Sequence, residues 1–279
     1  MNVIYDFGSN NGDDIPYYLK KAEKVIAVEA NPLLCKRIQD RFATEMLAGK
    51  LVVENCVLTT DELRTPAFFY IHKHDHVLSQ YPKPDEKIID HYEKVLLPSK
   101  SVTGLIDSYG QPYYIKIDIE HYDEVVLKAL FQSNIFPPYI SAESHSIEIF
   151  SLLVILGRYN SFKLVDGSTV SDKYKEHLIS VDGRLESYSF PHHSAGPFGD
   201  DIGGEWMTAN NFFRLLAFEG LGWKDIHATK LALPNVATVA KLRPYVEAAI
   251  KRKISEKAKP FMPKLVHRKL ERWLFSQAS

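Results

Sequence analysis

Three short segments of this chain concentrate residues that could do chemistry. The first, Asp6-Phe7-Gly8-Ser9-Asn10-Asn11-Gly12, joins polar side chains to two glycines, which turn tightly and let a ligand approach the backbone. The second is Glu29, followed by Asn31, about twenty residues further on, at the distance where an acid can accept both hydroxyls of a ribose. The third is Lys116-Ile117-Asp118-Ile119-Glu120-His121-Tyr122-Asp123. Read as a strand, it sets Lys116, Asp118 and Glu120 on one side of an otherwise apolar run, and a buried charge needs a partner.

The glycine spacing of the first segment is G-x-x-x-G, not the G-x-G-x-x-G that seats a diphosphate on a helix N-terminus. Asp13 and Asp14 follow it, with charge that would repel a diphosphate. A cofactor with a cationic amino-acid end suits such a turn better, and S-adenosylmethionine (SAM) is one. On this reading Asp6, Gly8, Ser9, Asn10, Asn11, Gly12, Glu29, Asn31 and Asp118 hold the cofactor, and Asn55, after the third strand, meets the adenine edge.

Histidine titrates near neutrality, which makes His121 and His145 the candidate general bases; Asp118 organises the site. Each histidine has an equally ordinary reading as a hydrogen-bond donor at a helix start. Glu143 stands two residues before His145, and with Asp118 it could bind a divalent cation, a reading given the smaller share. His72, His74 and His76 would share one face of a strand, but zinc-ligand spacings are absent and a solvated or cleft-lining loop is expected. Cys35 and Cys56 make neither a disulfide framework nor a zinc site, and read as two ordinary thiols.

These residues need elements to position them. Short apolar runs alternate with amphipathic stretches, the pattern of a parallel sheet covered by helices. Strands are expected at Val3 to Asp6, Lys24 to Glu29, Leu51 to Asn55, Tyr113 to Ile119, Tyr139 to Glu143 and near Phe162 to Val165, with a last one within Gly222 to Leu231. Helices are expected over Asp13 to Ala22, from Pro32 to about Leu47, and over Asp123 to Gln132, Ser146 to Leu156, 207–218 and 235–253. Leu34, Ile38 and Phe42 fall on one face of the second of these. Ala67 to Ile71 reads as an extra strand, and His72 to Ser101 and Ser168 to Trp206 as loops.

The three segments, taken in order with Val28-Glu29-Ala30-Asn31-Pro32 and Lys116-Ile117-Asp118-Ile119-Glu120, resemble the signatures of FkbM-type SAM-dependent methyltransferases, roughly D-x-G-A-N-x-G, x-E-P-N-P and K-I-D-V-E-G. The resemblance spans about residues 3 to 167, with Ser9, Ala30 and His121 as departures. It implies an α/β class I methyltransferase (Rossmann-like) fold, a mostly parallel seven-stranded sheet with helices on both faces, and SAM over the first two motifs. The activity expected is O-methylation of a hydroxyl on a sugar, glycan or polyketide-like glycoside. The alternatives are an N-methyltransferase acting on a small amine, or a non-catalytic SAM- or nucleotide-binding scaffold.

The stretch from Phe190 to Trp206 is the candidate acceptor-recognition loop, with Glu143, His192, His193, Asp200 and Trp206 as substrate-binding residues. Residues 1–232 are expected to form the catalytic domain, with 168–206 as its acceptor-binding insertion. Residues 233–279 would form a basic helical extension. Nine lysines and arginines lie between Lys251 and Arg272, while Val266, Leu270, Trp273 and Leu274 make an apolar row. Such a helix can pack on protein or touch an anionic membrane surface.

Composition narrows the rest. With 45% hydrophobic and 12% aromatic residues, the chain can bury enough apolar surface to fold. Its 34 basic and 35 acidic residues cancel, so no global field draws it to nucleic acid. No run approaches the roughly 20 apolar residues of a membrane span. Met1-Asn2 leads straight into Val3-Ile4-Tyr5, and a cytoplasmic protein is expected.

Overall fold

The computed structural model describes residues 2–60, 66–232, 251 and 253–254. In chain order its strands are β1 (Val3–Phe7), β2 (Lys24–Val28), β3 (Leu51–Glu54), β4 (Val57–Thr59), β5 (Ala67–His72), β6 (Tyr92–Leu97), β7 (Ser99–Ser101), β8 (Pro112–Ile117), β9 (Tyr139–Ser144), β10 (Ser161–Asp166), β11 (His177–Val181), β12 (Arg184–Tyr188), β13 (Met207–Thr208) and β14 (Gly222–Thr229). The helices are α1 (Ile15–Lys21), α2 (Pro32–Arg41), α3 (Ala43–Leu47), α4 (Val102–Tyr109), α5 (Asp123–Gln132), α6 (Ile147–Ile155), α7 (Val170–Lys173) and α8 (Ala209–Glu219).

The main sheet runs β13-β10-β14-β9-β8-β1-β2-β3. Six of its strands are parallel; β14 enters reversed between β9 and β10, and the two-residue β13 pairs antiparallel with the edge of β10. This is a doubly wound, Rossmann-like order, with eight strands where seven were expected. The chain reverses after β1, toward β2 on one side and β8 on the other, and a ligand crevice opens at such a switch point.

Strand alternation divides the core. Val3, Tyr5, Phe7, Ile115 and Ile117 face one apolar layer with Val126, Leu130 and Phe212 from α5 and α8. Ile4, Val25, Ala27 and Tyr114 face the other, with Ile15, Tyr18, Ile38 and Phe198. Both faces of the inner strands are therefore buried, which explains why they read as continuous apolar runs.

Capping sets the helix starts. Asn31 accepts from the Leu33 amide and places Pro32 at the first helical position, while Ser146 accepts from Glu148 and Thr208 from Asn211. The helix expected from Pro32 to Leu47 breaks at Phe42 into α2 and α3.

The extra strand expected at Ala67 to Ile71 is β5, and the stretches read as loops hold further structure. Within 57–101, β5 and β6 pair antiparallel and β4 pairs parallel with β7, forming a flap beside the third strand. Within 168–206 lie α7 and the β11–β12 hairpin. The basic extension expected over 233–279 lies outside the described residues, three positions excepted. Among the described residues, no helix is long and apolar enough to cross a membrane.

Candidate functional site

A cavity of about 510 Å³ opens where β1, β2, β8 and β9 end. That volume lies within the roughly 300–1,000 Å³ of small-molecule and cofactor sites. Gly8, Asn10 and Asn11 line it from the first segment, Glu29 and Ala30 from the end of β2, and Asp118, Ile119 and Glu120 from the end of β8. Glu143 closes it from β9. The flap adds Phe69, Asp75, His76, Val77 and Tyr81, while Leu34, Val57 and Leu58 form an apolar floor.

The glycine-rich turn is held by its neighbours. The Gly8 and Ser9 amides both donate to the Val28 carbonyl, at 3.0 and 3.1 Å. Gly8 has φ +85°, and a Cβ there would stand 1.8 Å from the Asp118 carbonyl oxygen, so β1 and β8 close together only around glycine. Beneath them Lys116 is buried; its Nζ lies 3.2 Å from Asp118, 3.7 Å from Asp6 and 3.2 Å from the Gly8 carbonyl to which it donates. Burial favours a protonated Asp6. Burial works the same way on Asp118, but the Lys116 charge and a hydrogen bond from Glu143 prevail and hold its pKa below the ordinary value.

Glu29 ties the two turns together, its carboxylate accepting the Asn10 and Asn31 amides at 2.7 Å each. Burial pushes its pKa up to about 7 against those two donors. Asn55 donates its amide to the Glu29 and Ala30 carbonyls at 2.8 and 2.9 Å. It is thus a clamp on the β2 turn and does not line the cavity; Cys56, Val57 and Leu58 stand there instead.

The third segment leaves the extended conformation after Ile117. Glu120 and His121 have φ of +36° and +65°, so the period-two expectation for Lys116, Asp118 and Glu120 fails at the last of them. The turn still presents Asp118 and Glu120 to the cavity. His145 Nε2 lies 3.0 Å from Glu143 and 3.9 Å from Glu120, and its ring stacks on that of His121 at 6.1 Å. The Glu143 hydrogen bond raises the His145 pKa to about 9, so that imidazole is protonated at neutral pH. Burial, then the His145 charge, depresses that of His121.

Of the expected cofactor residues, Gly8, Asn10, Asn11, Glu29 and Asp118 line the cavity. Asp6, Ser9, Gly12, Asn31 and Asn55 do not; they build the turns behind it. The acidic pair after the turn does not face it either. Asp13 pairs with Arg41 at 3.0 Å, and the buried Asp14 accepts from Ser194 and from the Ala195 amide. The acidity comes instead from Glu29, Asp75, Asp118, Glu120 and Glu143, and among the described lining residues there is no lysine or arginine.

The expected acceptor loop splits in two. Asp200 accepts from the Trp206 indole at 3.1 Å and from the Tyr139 hydroxyl at 3.4 Å. Tyr139 begins β9, so Asp200 and Trp206 sit at the end of the sheet opposite the cavity, Asp200 exposed and Trp206 buried against Tyr139. His193 does line the cavity, beside Trp223, and His192 packs on the same indole. Trp223 was not legible as a site residue. The pairing of β14 with β9 is irregular between Gly222 and Asp225, and Gly167 leaves room for the indole, since a Cβ there would lie 2.4 Å from its Nε1. The three flap histidines do not share a strand face: β5 ends at His72, and His76 lies in a short 3-10 turn at the cavity wall.

No family model matches the chain, and no curated protein does. Among solved structures it is similar to the methyltransferase FkbM of Methylobacillus flagellatus KT, at 14% identity over 58% of this chain and 39% of that chain, with a TM-score of 0.38. It is also similar to the C-terminal domain of precorrin-6Y C5,15-methyltransferase from Rhodobacter capsulatus (9% identity, 82% and 79% covered, TM-score 0.38). A third is TrmK of M. capricolum, solved with S-adenosyl-homocysteine (10% identity, 98% and 88% covered, TM-score 0.37). The chain spans well under half the length of the first of these proteins. At such scores the likenesses carry no argument about activity, and the reading of the site rests on its own geometry.

Proposed function

We propose that this chain is a SAM-dependent O-methyltransferase acting on a hydroxyl of a neutral, sugar-like acceptor. One observation carries the reading: five carboxylates and no described lysine or arginine surround a cavity of cofactor size at the switch point of the sheet. A diphosphate would find no cation there, whereas a ligand bearing sulfonium and ammonium groups finds complementary charge.

Gly8, Asn10 and Asn11 would hold the amino-acid end, Glu29 the ribose, and Leu34, Val57 and Leu58 the base, while Asp118 faces the junction of cofactor and acceptor. When bound, SAM supplies a sulfonium methyl, so that the C–S bond breaks as a C–O bond forms and a neutral thioether leaves. The chain's own task is to hold the acceptor hydroxyl in line and take its proton. Glu120 and Glu143 offer acceptors for the hydroxyls, and the Trp223 face offers a stacking surface. His145 is committed to Glu143; His121, exposed beside it at the rim of the cavity, would take the proton.

Calorimetric titration with SAM and with NAD tests the cofactor half: SAM should bind and NAD should not. Incubation with methyl-labelled SAM and a pool of glycans tests the other half, read by mass spectrometry as the gain of one methyl group. Label appearing only on amines would replace the acceptor assignment, and SAM binding without turnover on any pool would make the chain a scaffold.

A further inference from the structure

Asp118 and Glu120 lie on the turn out of β8, and Glu143 and His145 at the end of β9 beside it. One carboxylate oxygen from each acid and one ring nitrogen of His145 all lie within 4.8 Å of one another. Opposite ligands on an octahedral ion with bonds of ~2.1 Å stand about 4.2 Å apart, and adjacent ones about 3 Å. His145 Nε2 stands 3.0 Å from Glu143 and 3.9 Å from Glu120, and no pair of the four exceeds 4.8 Å, so modest side-chain rotations would bring all four onto one ion. The three acids line the cavity, their side chains between 10% and 33% exposed, and His145 stands at its solvent-facing edge.

A second observation comes from beneath the cluster. Asp123, the first residue of α5, is 2% exposed, and its Oδ2 has no hydrogen-bond partner. The carboxylate is otherwise held by its own backbone amide and, at 3.4 Å, by that of Ile119. The carboxylate is close enough to Asp118, Glu120 and His145 for their charges to act on one another. A buried acceptor left without a donor is costly, and a water on an ion beside it would supply one. Charge also favours a cation: the Lys116 ammonium, 3.2 Å from Asp118, offsets no more than one of these carboxylates.

We propose that Asp118, Glu120, Glu143 and His145 bind one divalent cation, with Asp123 accepting from a water on it. Three oxygen donors suit magnesium and manganese alike, and the imidazole tips the preference toward a first-row ion, manganese(II). The binding claim stands by itself. The use of the ion rests on the methyltransferase reading: an acceptor hydroxyl placed on it would lose its proton to His121 at a lower pH.

The test uses the full chain, stripped with a chelator and titrated with manganese(II) by electron paramagnetic resonance and calorimetry. One ion per chain is expected, with nitrogen coupling in the electron spin-echo spectrum. That coupling should vanish in His145→Gln, and affinity should fall at least tenfold in Glu143→Gln and in Glu120→Gln, the latter a more exposed and safer substitution. Glu54→Gln, on the edge strand β3 and paired with Lys100, should bind as the parent does. No binding to the folded parent, or equal binding by every variant, would overturn the site. Manganese binding with no SAM binding would leave the metal site standing and remove the proposed function.

Discussion

Lys116 Nζ lies 3.2 Å from the Asp118 carboxylate and 3.2 Å from the Gly8 carbonyl, so one buried cation joins the end of β8 to the glycine-rich turn of β1. It also lies 3.7 Å from Asp6, 1% exposed on the same face of the sheet. The charge of Lys116 is therefore structural, although its partner Asp118 faces the ligand cavity.

Replacing Lys116 with methionine keeps the stem and deletes the charge. Breaking a buried pair by removing one partner costs about 3–5 kcal/mol. Urea unfolding of Lys116→Met should show a loss of that order, reduced to the extent that Asp6 takes up a proton. SAM affinity, measured on the fraction still folded, should fall with it. A variant as stable as the parent would mean that Asp6 and Asp118 do not depend on this cation.

Gly8→Ala is expected to fail more completely. Its φ of +85° is costly for any side chain, and the added Cβ would meet the rigid Asp118 carbonyl, not the end of a flexible group. Either the β1–β8 pairing opens or the turn is displaced. The readout is a lower melting temperature together with loss of SAM binding. Gly49→Ala is the control: it too has positive φ, but nothing lies within 4 Å of the added carbon, so only the smaller backbone cost remains.

How far the sequence revealed these relationships depends on whether they are local. The strands β1, β2, β8 and β9 were readable because both their faces are buried, leaving short apolar runs with polar residues where each strand stops. The cavity residues Gly8, Asn10, Glu29 and Asp118 all stand at such stops. Of the flap only β5 was readable, as the run Ala67 to Ile71; β4 pairs with β7 across forty residues, and that register follows from tertiary contact. Asp200 and Trp206 look like a binding pair in sequence, yet they satisfy each other at the far end of β9. Trp223 escaped notice for the reverse reason: it reads as one more strand residue, and only a local irregularity beside Gly222 turns it to the cavity.

Glu29→Gln separates ligand recognition from scaffolding. Both carboxylate oxygens accept backbone amides at 2.7 Å, so an amide nitrogen placed against either Asn10 or Asn31 sets donor against donor. Charge-assisted hydrogen bonds of this kind contribute roughly 1.5–3 kcal/mol. SAM affinity should drop on the order of ten- to a hundredfold, with a measurable loss of stability in the unliganded chain. A loss of affinity at unchanged stability would mean that the two turns are held by other contacts, and that the carboxylate matters to the ligand alone.

The His145–Glu143 pair gives a pH signature that needs no acceptor. In the metal-free chain the hydrogen bond to Glu143 carries the His145 pKa from its ordinary 6.5 to about 9. A base that binds its proton more tightly when folded stabilises the fold fully below its unfolded pKa, and loses that contribution as pH rises through the folded one. The window is therefore pH 6.5 to 9, with stability falling toward the alkaline side. Glu143→Gln should return the imidazole toward 6.5, as followed by nitrogen-detected NMR of the ring in the presence of a chelator. The variant should show little of the stability loss that the parent shows across that window. If the ring titrates at the same pH in both proteins, the proton on His145 is held by something other than Glu143, with Glu120, 3.9 Å away, the next group to substitute.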